Sequence, residues 1–348
     1  MSTAGTSNPE YVVARVRSRR AGLYSDEDYR KLVRMGPAEI ARFMEESTYE
    51  EEINALGARH SGVDLIEYAL NRNMARNFED LLRWADGTLY DLVVRYLRKF
   101  DAWNVKTVIR GQYSDSDRES VETDLVRAGE FDERLVDRLL EASTVEEVVD
   151  LLDRTMFGDP LEAAYDDYDA TGLLVPLENA VDRAFYEHLL EGLPSDEPTA
   201  LYREFLEAEI DFRNARNALR IARTGADLDP ADYYIEGGRL FTAAELSALS
   251  ASMDDLVAAI RESTYGDELS AALTELEEAD SLIGFERALD AALVEYGDRL
   301  GSRFPVSVTP VISYILAKER EVNNIRAIAR GREAGLDADA IEEELVIL

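Results

Sequence analysis

A four-residue signature recurs three times along this chain at a constant step. Asp101, Asn104, Lys106 and Arg110 return as Asp211, Asn214, Arg216 and Arg220, then as Glu321, Asn324, Arg326 and Arg330. The step is 110 residues both times, close to a third of the 348 residues. Ser-Thr pairs at 47–48, 143–144 and 263–264 form a second recurrence, each preceded by a helical apolar set: Ile40, Phe43 and Met44; Val136, Leu139 and Leu140; Leu256, Ala259 and Ile260. The distance from Ser to signature Asn varies between 57 and 71 residues, so loops change length inside a fixed unit. Three copies of one module are expected, over residues 1–112, 113–225 and 226–348.

The module is helical. Leu89, Leu92, Val93, Tyr96 and Leu97 recur at three and four, as apolar helix faces do. Phe304 to Val311 is the best strand candidate, but Pro305 and Pro310 remove ladder donors. Ser25 with Asp28, Ser47 with Glu50 and Ser143 with Glu146 fit capping boxes, and Gly36-Pro37 reads as a stop followed by a start. An all-α fold of about 15 helices is predicted from the usual helix length.

On the closing helix, taking the acid as 0° at about 100° per residue, Asn lies near 300° and the two bases near 140° and 180°. Val105, Val108 and Ile109 surround the acid's direction. The acid therefore sits in the apolar arc and needs a partner, expected to be a basic or amide group from a neighbouring helix. The four side chains do not converge on one ligand, so the signature is read as structural.

Composition narrows the function. There are 72 acids against 38 bases, a net charge of −34. Phosphate contacts need Lys and Arg, so no nucleic-acid partner is expected, and charge alone does not hold the chain to anionic lipid. With no Cys, and only His60 and His188, thiolate zinc sites, a cysteine nucleophile and a multi-histidine metal centre are excluded. No apolar run of about 18 residues occurs, and the polar first eight residues do not read as a signal peptide. Only four bases are lysine (Lys31, Lys99, Lys106, Lys318). Many acids with few lysines is the surface of a protein in concentrated salt, where a Debye length of about 3 Å screens self-repulsion. The acidity spares residues 1–111, with 17 bases and 17 acids. That neutral third is a candidate contact surface, with Arg15, Arg17, Arg19 and Arg20 as candidate partner contacts. Tyr11 and Tyr24 suit either an interface or the core; Trp84 and Trp103 read as core.

The stretch Phe100-Asp101-Ala102-Trp103-Asn104-Val105-Lys106-Thr107-Val108-Ile109-Arg110-Gly111 resembles the helix that closes the first repeat in the C subunit of archaeal A-type ATP synthases, the V-type ATPase C/d family. Tyr11 and Ala14-Arg15-Val16-Arg17, followed by a Ser25-led helix, are similar to the family's start; Ala21-Gly22-Leu23 departs from it. The resemblance runs from about residue 9 to 335. It implies three homologous helical modules arranged with pseudo-threefold symmetry as a funnel. It implies a non-catalytic adaptor between the central-stalk subunits and the membrane proteolipid rotor ring. That adaptor transmits torque for proton-coupled ATP synthesis, peripheral on the cytoplasmic face of the membrane. No cofactor, metal, catalytic residue or small-molecule substrate is expected.

One pattern points elsewhere. Asp167, Asp169, Thr171, Gly172 and Glu178 match EF-hand loop positions, with Leu174 at the apolar one. Pro176 and the lack of a paired loop count against calcium. The alternative function is a helical-repeat scaffold or calcium-binding module unconnected to the ATPase. Asp166-Asp167 and Asp254-Asp255 lack the third aspartate of a magnesium-diphosphate site, and no phosphate-binding glycine loop or nucleophile elbow occurs.

Overall fold

The computed structural model describes residues 7–193, 197–224, 229–278, 282–343 and 345–346. These hold 19 α-helices and one 3-10 turn, and no strand. The number exceeds expectation because six helices have seven residues or fewer. Phe304 to Val311 is a bend entering a helix at Thr309, with Pro310 in the first turn, where its missing N–H costs nothing.

After α1 (Pro9–Arg20), one order of elements is met three times. First come α2 (Asp26–Leu32) and α3 (Pro37–Glu45), a hairpin of α4 (Glu50–Leu56) and α5 (Gly62–Trp84), and a closing pair α6 (Thr88–Leu97) and α7 (Lys99–Tyr113), then short α8 (Arg118–Asp124). Next come α9 (Glu133–Glu141), α10 (Val145–Leu151), the hairpin α11 (Gly158–Thr171) and α12 (Val175–Leu190), closing helix α13 (Glu197–Thr224) and the 3-10 turn Pro230–Tyr233. Last come α14 (Ala243–Leu249), α15 (Met253–Arg261), the hairpin α16 (Gly266–Glu278) and α17 (Leu282–Arg303), closing helix α18 (Thr309–Glu333) and α19 (Ala338–Glu342).

Local chemistry sets the boundaries. Ser25 and Asp28 form the expected capping box. At Gly36 the Glu39 carboxylate accepts the glycine N–H at 2.9 Å, and Pro37 opens α3. Ser143 is one residue early: Thr144 caps α10, accepting the Glu147 N–H. Ser47 does not cap with Glu50. Its hydroxyl donates to the Met44 carbonyl at 2.7 Å and accepts the Tyr49 N–H. Ser263 does the same between Ile260 and Tyr265. The third instance of this turn is Thr155, between Leu152 and Phe157, not Ser143-Thr144. The true step is 108 residues both times. Tyr49, Phe157 and Tyr265, two residues on, are all buried. Ser143-Thr144 imitates this turn because any Ser-Thr after an amphipathic helix does so in one dimension.

The chain forms two compact units. One holds residues up to Leu23 and Met35–Glu191; the other holds Tyr24–Arg34 and Gly192–Leu348. In the first, α7 packs on α10 and α12. In the second, α13 packs on α15 and α17, while α18 packs on α17 and on α2. Each of α7 and α13 thus packs on elements of the set that follows, and α18 packs on an element of the first. This is why α2 belongs to the second unit although α1 and α3 belong to the first. Tyr29 is fully buried on α2, next to Asn324 and Glu321 of α18. Tyr29→Ala is expected to cost about 3 to 5 kcal/mol and to raise amide exchange in α18 before α5; equal acceleration in both helices would contradict the placement of α2.

Candidate functional site

The signature residues form the same arrangement on each closing helix. Asp101, on α7, accepts the backbone N–H groups of Glu130 at 2.8 Å and Phe131 at 3.1 Å. Asp211, on α13, accepts those of Arg239 and Leu240, each at 2.9 Å. Glu321, on α18, accepts the N–H of Tyr24 at 2.6 Å, from a residue 297 positions earlier. The partner is thus a backbone amide of the extended segment leading into the next capped helix, not a side chain of a neighbouring helix. In the third instance a second donor is added: the Lys318 ammonium reaches Glu321 at 2.7 Å, with both side chains 1% exposed.

Each signature asparagine makes a two-way bond with the backbone of one residue of an incoming segment. Asn104 donates to the Val126 carbonyl at 2.8 Å and accepts its N–H at 2.9 Å. Asn214 does this with Ile235 and Asn324 with Val346, at 2.9 Å in both directions. The amide side chain imitates a strand neighbour, satisfying a peptide that no helix reaches.

The approach is close enough to require glycine. A Cβ on Gly129 would lie 2.0 Å from an Asp101 oxygen, and one on Gly238 would lie 2.1 Å from an Asp211 oxygen. Ala128-Gly129-Glu130-Phe131 and Gly237-Gly238-Arg239-Leu240 are the receiving sequences, with Ala21-Gly22-Leu23-Tyr24 in the first set. This glycine before an aromatic or leucine is the sequence signal for the acid's partner. Gly22 holds the matching place in Ala21-Gly22-Leu23, a departure from the family's start, but a Cβ there would meet Thr48 at 3.1 Å and not the Glu321 carboxylate.

Burial pushes the Asp101 carboxyl up to about 6, against the pull of its two N–H donors. Burial also raises Asp211, again opposed by backbone N–H groups and by the Tyr265 hydroxyl. In both, the N–H donors oppose the upward push of burial.

The signature bases are laced to the next hairpin. Lys106 pairs with Asp182 at 2.6 Å and Arg110 with Glu178 at 2.5 Å. Arg216 pairs with Asp290, and Arg220 with Glu286 at 2.6 Å. The acids are four residues apart on α12 and on α17, 108 residues between sets. In the third set Arg326 donates to Asn323 at 3.1 Å, and α5 carries Leu70 and Met74 at the matching steps. Arg330 has contacts of its own.

Glu178 is therefore an ion-pair partner. Asp167, Asp169 and Thr171 lie on α11, not on a loop, and Thr171 donates to the Asp167 carbonyl as a helical side chain does. The EF-hand reading fails, because a helical backbone turns these oxygens outward instead of around one ion. Among the described residues no group of three or more acids or histidines could hold a metal.

Of the four N-terminal arginines, Arg19 reaches Asn77 at 2.8 Å and also Asp80. Arg15 lies over the rings of Tyr11 and Trp84, at 4.6 and 5.0 Å. Arg17 and Arg20 also have contacts. Tyr24 is core and Tyr11 exposed. Trp103 is not core: it is 45% exposed, its indole N–H donating to the Asp124 carbonyl at 3.1 Å. His188 receives Arg98 at 2.5 Å, and its pKa is lowered by burial and by Arg98 and Arg95.

Gly129→Ala and Gly238→Ala are each expected to cost about 2 to 4 kcal/mol, by overpacking and lost amide bonds; thermal melts in molar KCl measure this, and unchanged melts would remove the clasp. A carboxyl raised by folding contributes stability that is full below about pH 4 and lost as pH rises through about 6. Asp101→Asn lacks that titration. The wild type should therefore lose about 1 to 3 kcal/mol relative to the variant between pH 4 and 7, at about 1.4 kcal/mol per unit. Denaturant unfolding at both pH values tests the sign.

Residues 12–344 match the family described as ATP synthase (C/AC39) subunit. The chain is 74% identical over 348 residues to the C subunit of the A-type ATP synthase of Haloferax volcanii, with both chains fully covered. It is 69% identical to that of Halorubrum lacusprofundi, again over the whole of both. It is 34% identical to that of Methanosarcina acetivorans, over 99% of this chain and 94% of the relative. The salt-adapted acidity read from composition fits the first two relatives. A full-length match to the profile and to relatives this similar places the chain in the ATP synthase (C/AC39) subunit family, as a non-catalytic subunit of the complex.

Proposed function

We propose that this protein is the adaptor that couples the central stalk to the membrane proteolipid rotor ring, passing torque for proton-coupled ATP synthesis from the cytoplasmic face of the membrane. The chain is three homologous modules, 1–112, 113–225 and 226–348, set around a pseudo-threefold axis as a funnel. The observation that carries this reading is the thrice-repeated clasp. The first set holds the second, the second holds the third, and the third holds Tyr24 of the first. A chain whose last repeat grips its first ties the ends of the repeat series together. Bonds to ionised groups are worth about 1.5–3 kcal/mol each, and a torque coupling needs such stiffness at every joint.

No helix among the described residues is long and apolar enough to cross a membrane. A peripheral position fits that. Arg15, exposed over Tyr11 and Trp84, is the best placed of the four N-terminal arginines for a partner. Arg19 holds Asp80 and serves the fold. Arg17 and Arg20 stay in the proposal as secondary contacts.

The test is co-elution of the full chain, in about molar KCl, with separately prepared central stalk and rotor ring. Binding to both, one chain per complex, is the expected outcome. A folded chain that binds neither overturns the adaptor reading. Arg15→Glu is expected to weaken one of the two contacts by about tenfold without lowering the melting temperature, as surface substitutions of this kind leave stability nearly unchanged.

A further inference from the structure

The clasps and the 108-residue turn align the three sets residue by residue, and one place in the alignment is built differently each time. In the second set it lies beside His188 on α12, where Arg98 bridges the His188 ring and Glu130. Arg95 enters the same place and donates to the carbonyls of His188 at 3.1 Å and Glu191 at 2.5 Å. In the first set the residue matching His188 is Asp80, and Arg19 of α1 meets it there. In both, an arginine from elsewhere in the chain fills the place and finds acceptors.

The third set inverts this chemistry. Tyr296 stands for His188, Arg299 for Glu191, and Arg239 for Glu130. Where the closing helix carries Arg98 and Arg95, α13 carries Ala208 and Phe205, both buried. Neither arginine has a counterpart on α13, and the carboxylate acceptor Glu130 is replaced by the cation Arg239. The result is a cleft of about 680 Å³ within the second unit, lined by Arg239, Arg299, Arg303, Tyr296, Glu204 and Glu268 among others.

The internal pairing leaves donors over. Arg239 is paired with Glu207 and Arg299 with Glu268, each at 2.7 Å. A guanidinium has five donors, so each keeps several. Arg303 lies over the Phe304 ring at 5.2 Å and meets no carboxylate among the described residues. The lining holds three arginines and two acids, and Glu207 beside it balances the third arginine, so the cleft is close to neutral in a chain of net charge −34. Elsewhere that charge repels an approaching carboxylate.

We infer that this cleft is the seat of a carboxylate side chain supplied by a neighbouring protein of the complex, which Arg303, Arg299 and Arg239 grip as the acids of the first two sets grip Arg19 and Arg98. This rests on the adaptor reading above. A partner carboxylate is favoured over a free anion because the two matching places are filled by protein side chains. At hydrogen-bond distance such contacts also survive a Debye length of about 3 Å, whereas longer-range attraction does not.

Arg303→Glu and the double change Arg299→Gln with Arg303→Gln are the variants. Arg303 is exposed and makes no ion pair among the described residues, so Arg303→Glu should disturb the melt no more than a surface change does; the double change also removes the Arg299–Glu268 pair, so it is used only if its melt shows a folded chain. Full-length wild type and variants are titrated against the purified central stalk and the purified rotor ring in about molar KCl, with Arg30→Glu, at an exposed position of α2, as a control of equal charge change. The expected result is at least about tenfold weaker binding to one partner for both cleft variants, with Arg30→Glu unchanged, and recovery when an acid of that partner is changed to arginine against Arg303→Glu. Wild type that binds neither partner removes the adaptor reading and this inference with it. Wild type that binds, with cleft variants equal to it or to Arg30→Glu, leaves the adaptor reading standing and overturns the cleft. In a separate arm, citrate is added to the isolated chain. A melt raised by citrate in wild type but not in the double variant, together with unchanged partner binding, assigns the cleft to free anions and overturns the inference as stated.

Discussion

A buried carboxylate that meets backbone amides organises this protein. Asp101, Asp211 and Glu321 each lie in the apolar face of a long helix, where an unmatched charge would be intolerable. Each is matched by N–H groups of the segment about to enter the following capped helix. That single requirement fixes several things together. It places glycine at 129 and 238, since a methyl group there would overlap the carboxylate. It sets the direction in which each set hands the chain to the next, and it ties residue 24 to residue 321.

The asymmetry between sets follows from the same constraint. Two backbone amides reach each of Asp101 and Asp211, whereas Glu321 takes the Tyr24 amide together with the buried Lys318 ammonium. The division into two units, instead of three, also follows. Contacts gather where a closing helix packs on the next set's hairpin, so α13 goes with α17 and α2 goes with α18. Repeats in sequence and compact units in space divide the chain at different places because a closing helix is bound to the set that follows it as well as to its own.

Much of the helical reading is legible in the sequence. The period of three and four, Ser25 with Asp28 and Gly36-Pro37 all specify local structure through contacts within a turn or two. The misreadings are of another kind. Ser143-Thr144 stands in for a repeat landmark that Thr155 occupies, because the feature that matters, a buried aromatic two residues on, is defined by packing. Asp167 to Glu178 imitates a calcium loop because ligand spacing says nothing about whether the backbone is extended or helical. Trp103 reads as core because its neighbours are apolar, yet its own direction on α7 faces outward, toward the Asp124 carbonyl. The acid's need for a partner follows from the helical wheel; that the partner is a peptide N–H beside a glycine does not.

By itself the sequence determined the helical class, the threefold repetition, the acidity suited to concentrated salt and, through the full-length resemblance, the family. These rest on composition, local periodicity and ordered recurrence, all of which are properties of one dimension. Only the tertiary structure decided that α2 joins the far end of the chain, that Arg110 meets Glu178, and that the place filled by Arg98 in one set is an arginine-lined cleft in another. Those pairings join residues from 68 to 297 positions apart. Over such distances no local spacing rule applies, and the cost of burying a charge is settled by whichever donor the fold brings to it.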